Sequence, residues 1–257
     1  MLGSSLVALL LAAPDAGTTW SWSFDDAISV KVEKANVDVS ASPSLRKARL
    51  LVTVTEAGEA APKRLVVQVL EGNDSLEGRT WNVENNYGEP MLSEVGARKK
   101  SAAPTTLKEA LAQQQGTSQD DVRVFARVVG TLLTPDPIVE AARSGAPCDE
   151  GVRAQIGSAA AKLTKMLAAR GEELTVEDVS AACEPKKPGS WTVQFALKQL
   201  IEDQPVIINY RGTVSVAPGA WRATLSLQGS ARVALNNGRT ALRVRNEQMI
   251  KSSMKPK

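Results

Sequence analysis

The chain contains no histidine in 257 residues. Histidine is the usual general base near neutral pH and the commonest nitrogen ligand of transition metals. Its absence excludes a Ser-His-Asp or Cys-His arrangement and any zinc site built on imidazole. Carboxylate chemistry and oxygen-ligated calcium stay open. Aromatic residues are scarce at 4%, and five of the ten are tryptophan, so the core must be filled mainly by Val, Leu and Ala. Cysteine occurs twice, at Cys148 and Cys183. Two thiolates without imidazole leave half of a zinc tetrahedron unfilled, so neither a metal nor another cofactor is expected.

Long apolar runs are also missing. No segment reaches the roughly 20 residues of a membrane-spanning helix, so none is expected in the mature protein. Glycine-rich phosphate loops, Walker patterns and nucleophile elbows do not occur. Ser44 and Lys47 match a Ser-x-x-Lys pattern, but the serine lies in a proline-containing turn rather than at the start of a helix. No motif is specific enough to assign a family. Basic residues are not interleaved with aromatics in a nucleic-acid pattern, and that partner is not expected.

Leu6 to Ala13 reads LVALLLAA, the length of a signal-peptide apolar core, and is followed by the small residues Ala16 and Gly17. No Lys or Arg precedes it, which departs from the usual pattern. The reading assigns residues 1–17 to a signal peptide and the mature chain to the periplasm or the exterior. An even cysteine count in an oxidising compartment reads as a disulfide between Cys148 and Cys183.

Three regions follow from periodicity. Residues 18–100 form an N-terminal β region that alternates with period two from about Thr18 to Glu89: Trp20, Trp22 and Phe24 share one strand face, with Ser21 and Ser23 on the other. Further strands are expected around Arg49–Thr55, Arg64–Leu70 and Trp81–Val83. Pro90 to Thr105 reads as a surface linker.

Residues 101–184 read as a helical insertion. Thr106 with Glu109, Ser118 with Asp121, and Thr175 with Asp178 have capping-box spacing. Val122, Phe125, Val129 and Leu132 form one apolar face, and Asp136 with Pro137 predicts a short capped helix. The strongest helix spans about 149–170, with Val152, Ile156, Ala159, Leu163, Met166 and Leu167 as its stripe. With Cys183 placed at the end of the following helix, the disulfide is expected to clasp a helical hairpin. Residues 185–257 return to period two, with Asn237-Gly238 as a hairpin signal. The fold class expected is α+β: antiparallel meanders at both ends forming one sheet system, a curved sheet or sandwich, around a central helical insertion.

The net charge of +3 conceals an asymmetry. From Pro185 onward, twelve Lys and Arg stand against Glu202, Asp203 and Glu247, a net +9 that leaves −6 for the preceding chain. Alternation places Arg222, Arg232, Arg243 and Arg245 together on an exposed face, which could hold the phosphates of an anionic envelope component. Trp20 and Trp22 form a candidate aromatic platform for a sugar, although such alternation is characteristic of a core-facing strand. The paired acids Asp25–Asp26, Asp120–Asp121 and Glu172–Glu173 do not resemble a catalytic dyad. The reading is an exported, non-catalytic binding or scaffolding protein of the cell envelope, whose partner is an anionic component or another envelope protein. Two alternatives are a carrier of lipid or lipopolysaccharide using a curved sheet and the basic face, and a carboxylate-based hydrolase without histidine.

Overall fold

A computed structural model describes residues 14–32, 46–72, 76–86, 89–95, 105–106, 128–168, 174–201, 204–234 and 241–254. The N-terminal meander comprises β1 (Thr19–Val32), β2 (Arg46–Glu56), β3 (Arg64–Glu71), β4 (Thr80–Asn86), β5 (Glu89–Glu94) and β6 (Thr105–Thr106). Helices α1 (Pro137–Arg143) and α2 (Glu150–Ala168) follow. The C-terminal meander comprises β7 (Leu174–Cys183), β8 (Ser190–Ile201), β9 (Gln204–Ser215), β10 (Thr224–Ala234) and β11 (Ala241–Met254).

All eleven strands form one open antiparallel sheet, in the order β6-β5-β4-β3-β2-β1-β11-β10-β9-β8-β7. Each ladder but one joins strands adjacent in sequence. The exception is β1 with β11, paired from Trp20↔Met254 to Val32↔Leu242. The arrangement is thus one continuous sheet rather than a sandwich. The two meanders run outward from this seam, and the helices belong to the stretch between its opposite edge strands.

Successive side chains of a strand point to opposite faces, and paired residues share a face. Trp20, Trp22 and Phe24 therefore lie with Leu50 and Val52 of β2 and Ile250 of β11 on the buried face. Leu225 and Leu227 of β10, Val214 of β9 and Trp191 and Val193 of β8 continue it into a single core with Ile138 and Ile156 of the helices. Each large side chain so buried contributes about 1.5–3 kcal/mol.

Helix α1 begins as its sequence implies. Asp136 caps it, accepting from the Ile138 N–H at 2.9 Å, and Pro137 opens the first turn. In α2, Val152, Ile156, Ala160 and Leu167 are buried against the sheet. Gly157 sits in mid-helix because a β-carbon there would meet Val179 Cγ1 of β7 at 2.9 Å. The close approach of α2 to β7 requires its small size.

Two expectations are corrected. Residues 174–183 are strand β7, not a helix. A β-bulge between Glu177 and Ser180, with Asp178 at φ 52°, inserts one residue into the alternation. Val176 and Val179 are thereby spaced by three, which mimics a helical period, and Thr175 with Asp178 mimics a capping box. Likewise, Glu89–Glu94 in the expected linker pairs with β4 as strand β5. Pro90 lies next to the first residue of that short strand, where a missing N–H is tolerated. The Leu6–Ala13 run, Val122, Phe125, the Ser118–Asp121 pair, two of the three acid pairs and the Asn237-Gly238 turn lie outside the described residues. The pairing Ala234↔Ala241 nevertheless joins β10 to β11 on either side of residues 235–240.

The disulfide forms between Cys148 and Cys183, with Cα atoms 5.3 Å apart. It fastens the turn before α2 to the end of β7, not two helices to each other. Trp191, the β8 neighbour of Cys183, donates from Nε1 to the Pro147 carbonyl at 2.8 Å and braces the same junction.

Candidate functional site

The two faces of the sheet carry different hollows. On the exposed face, β8 to β11 form a trough of about 620 Å³ lined by Gln194, Asn209, Arg211, Gln228, Arg245 and Glu247. These side chains are exposed and carry charges of both signs, so water already solvates them. On the buried face, a smaller cavity of about 200 Å³ lies between the helices and the sheet.

Three sets of residues build this second cavity. Trp22 of β1 and Ile250 of β11 form its sheet side. Leu163, Met166 and Leu167 of α2 form the opposing wall. Thr131, Pro135 and Pro137, around the turn into α1, close one end. The α2 stripe is buried at Ile156 and Ala160 but only half-buried at Leu163 and Met166, where it borders the cavity.

The segment before β10 brings a charge to this apolar space. Ala217-Pro218-Gly219-Ala220 makes a turn, with Gly219 at φ 70°, a conformation few other residues accept. The chain then bends at Trp221 and Arg222 before regular alternation begins in β10. Two long-range hydrogen bonds hold the bend. Asp136 Oδ2 accepts from the Ala223 N–H at 2.9 Å, and Arg143 Nη2 donates to the Ala220 carbonyl at 2.8 Å. As a result Trp221, Arg222 and Ala223 are all buried, and Arg222 lines the cavity.

Arg222 is only 6% exposed, and its Nε and Nη2 have no hydrogen-bond partner. Its guanidinium carbon lies 5.4 Å from the centre of the Trp221 ring. Burial lowers its pKa from the ordinary arginine range to about 10, against the opposing pull of the Asp136 charge. It is thus cationic at neutral pH. Asp136 spends one oxygen on the α1 cap and the other on Ala223. Lys162, exposed on α2, adds a second cation at the cavity.

The site residues expected from sequence are divided by this geometry. Arg232, Arg243 and Arg245 do lie together on the exposed face, with Arg232 directly opposite Arg243. Arg222 does not join them, because the bend after the Pro218-Gly219 turn breaks the alternation that assigned it there. Trp20 and Trp22 are 0% and 4% exposed, so they form no open platform, although Trp22 walls the cavity. Asp25 forms an ion pair with Lys47 at 3.6 Å on the exposed face.

No protein-family model matches the chain, and no curated protein matches it in sequence. Among the described residues, no group of three or more Cys, Asp or Glu could hold a metal ion. None of their helices is long and apolar enough to cross a membrane. The cavity itself had no local signature in the sequence. The Pro218-Gly219 turn immediately before Arg222 was the one available signal that this arginine leaves a turn rather than continuing a strand.

Proposed function

We propose that this is an exported, non-catalytic binding protein of the cell envelope whose ligand occupies the cavity between the helical insertion and the sheet. The observation that carries this reading is the apolar wall of Trp22, Leu163, Met166 and Leu167 around about 200 Å³ of space. Ligand sites are commonly apolar clefts with a few placed polar groups. The disulfide between Cys148 and Cys183 supports an oxidising compartment. The carrier alternative is modified by the faces of the sheet. Arg243 and Arg245 project from the face opposite Ile250, so they and the cavity cannot hold one molecule between them.

Titration with the neutral fluorophore N-phenyl-1-naphthylamine tests this reading. Saturable enhancement is expected in the native protein, and Leu163→Phe, which fills the cavity from α2, should weaken it at least about tenfold. Such a loss corresponds to about 1.4 kcal/mol. No saturable binding, or binding indifferent to Leu163→Phe, would remove the cavity as the site.

A further inference from the structure

We infer that the cavity takes a single-chain amphiphile with an anionic head, the head paired with Arg222 and the chain lying along Leu163, Met166 and Trp22. This rests on the cavity being the binding site and deepens that reading by naming the ligand class.

Three observations converge on it. The first is the state of Arg222. A buried charge without hydrogen-bonded partners is unfavourable, and a fitting anion relieves it. Nε and Nη2 are unpartnered and closed off from water, so an anionic head would meet Arg222 where that residue lines the cavity and would offset its charge there. The second is the balance of charge. Arg222, Lys162 and Asp136 are the charged residues among those described around the cavity. Asp136 already accepts from two backbone N–H groups, so it offsets the positive charge of Arg222 without pairing with its Nε or Nη2. The third is the remaining surface. Leu163, Met166, Leu167 and Ile250 offer a ligand tail no polar side chain, Trp22 adds an indole ring, and Thr131 and Thr134 donate their hydroxyls to backbone carbonyls. The volume equals about seven waters at roughly 30 Å³ each, which suits a short chain or one segment of a longer one. The exposed trough lacks this combination, because its arginines share the surface with Glu247 and with water.

The test is calorimetric titration of the whole protein with octanoate, octyl phosphate, 1-octanol, octylammonium and acetate. Octanoate or octyl phosphate should bind at least about tenfold more tightly than octanol, while octylammonium and acetate bind weakly or not at all. The stronger of the two anions identifies the head as carboxylate or phosphate. Arg222→Gln should erase the preference for anions over octanol while leaving naphthylamine binding in place. Leu163→Phe should weaken both anions, which keeps the tail assignment testable if Arg222→Gln does not fold. Naphthylamine binding without any preference for anions would overturn the amphiphile and leave the cavity standing. Acetate binding as tightly as octanoate would make this a small-anion site and overturn the role of the chain. Loss of naphthylamine binding from the native protein would remove both readings together.

Discussion

At the scale of single residues, the burial of Arg222 without hydrogen-bond partners at Nε and Nη2 opposes stability, a cost that the proposed anionic ligand would relieve. Its pKa is lowered from the ordinary arginine range to about 10 by burial, so the folded state releases this proton more readily than the unfolded chain does. Stability attributable to this group therefore rises as pH climbs above about 10 toward the ordinary arginine range and is lowest below about 10. At neutral pH the full penalty is present. Arg222→Met should consequently stabilise the ligand-free protein by about 1–3 kcal/mol at pH 7. Urea unfolding of the two proteins checks this, and a methionine variant clearly less stable than the native chain would show that Arg222 is structural. Asp136 behaves differently. Both of its oxygens accept backbone N–H groups, so although it lines the cavity it serves the architecture that delivers Arg222.

At the scale of elements, α2 is placed by a junction at its start and by close packing along its length. The disulfide ties the turn before α2 to the end of β7, Trp191 braces the same turn from β8, and Gly157 lets the helix approach Val179. The cavity opens beyond these contacts, beside Leu163 and Met166. Replacing Cys148 and Cys183 with serine should lower stability by about 3–4 kcal/mol for the enclosed loop. The melting temperature should fall by roughly 10 °C. Unchanged melting in oxidising buffer would mean the bond constrains little. The same elements show where local reading fails. The α2 stripe was legible because its 3.6-residue period runs unbroken from Val152 to Leu167. Strand β7 was not, because one inserted residue at Asp178 turned a two-residue period into a helical one.

At the scale of the molecule, the seam between β1 and β11 converts two meanders into one sheet and lets the helices share one core with both. It also separates the chemistry by side. Arg232, Arg243 and Arg245 face outward, whereas Arg222 lies at the buried cavity. Whether the protein meets its ligand outside the cytoplasm has a direct check. The intact mass of protein taken from its own host, alkylated without prior reduction, should lack the first dozen or so residues and carry no alkyl group. A full-length mass with two alkylated thiols would contradict export and the disulfide together, and the envelope reading with them.

Short-range periodicity and residue chemistry are legible in the amino-acid order alone. Trp20, Trp22 and Phe24 alternate with serines, Asp136 and Pro137 mark a helix start, and two cysteines without histidine point to a disulfide rather than a metal. Each of these depends on neighbours within a few residues, or on composition alone. The tertiary structure decided the rest. Pairing of Trp20 with Met254 joins positions at nearly opposite ends of the chain, and no local pattern specifies that register. The fate of Arg222 was settled in the same way. Its neighbours in sequence suggested an outward strand position, but Asp136, 87 residues away along the chain to Ala223, pins the bend that turns it inward. A cavity is the space left between elements, and its walls here come from β1, α2, β11 and the segment before β10. Only their packing could bring those residues around one cavity with Arg222 and Asp136 buried at it.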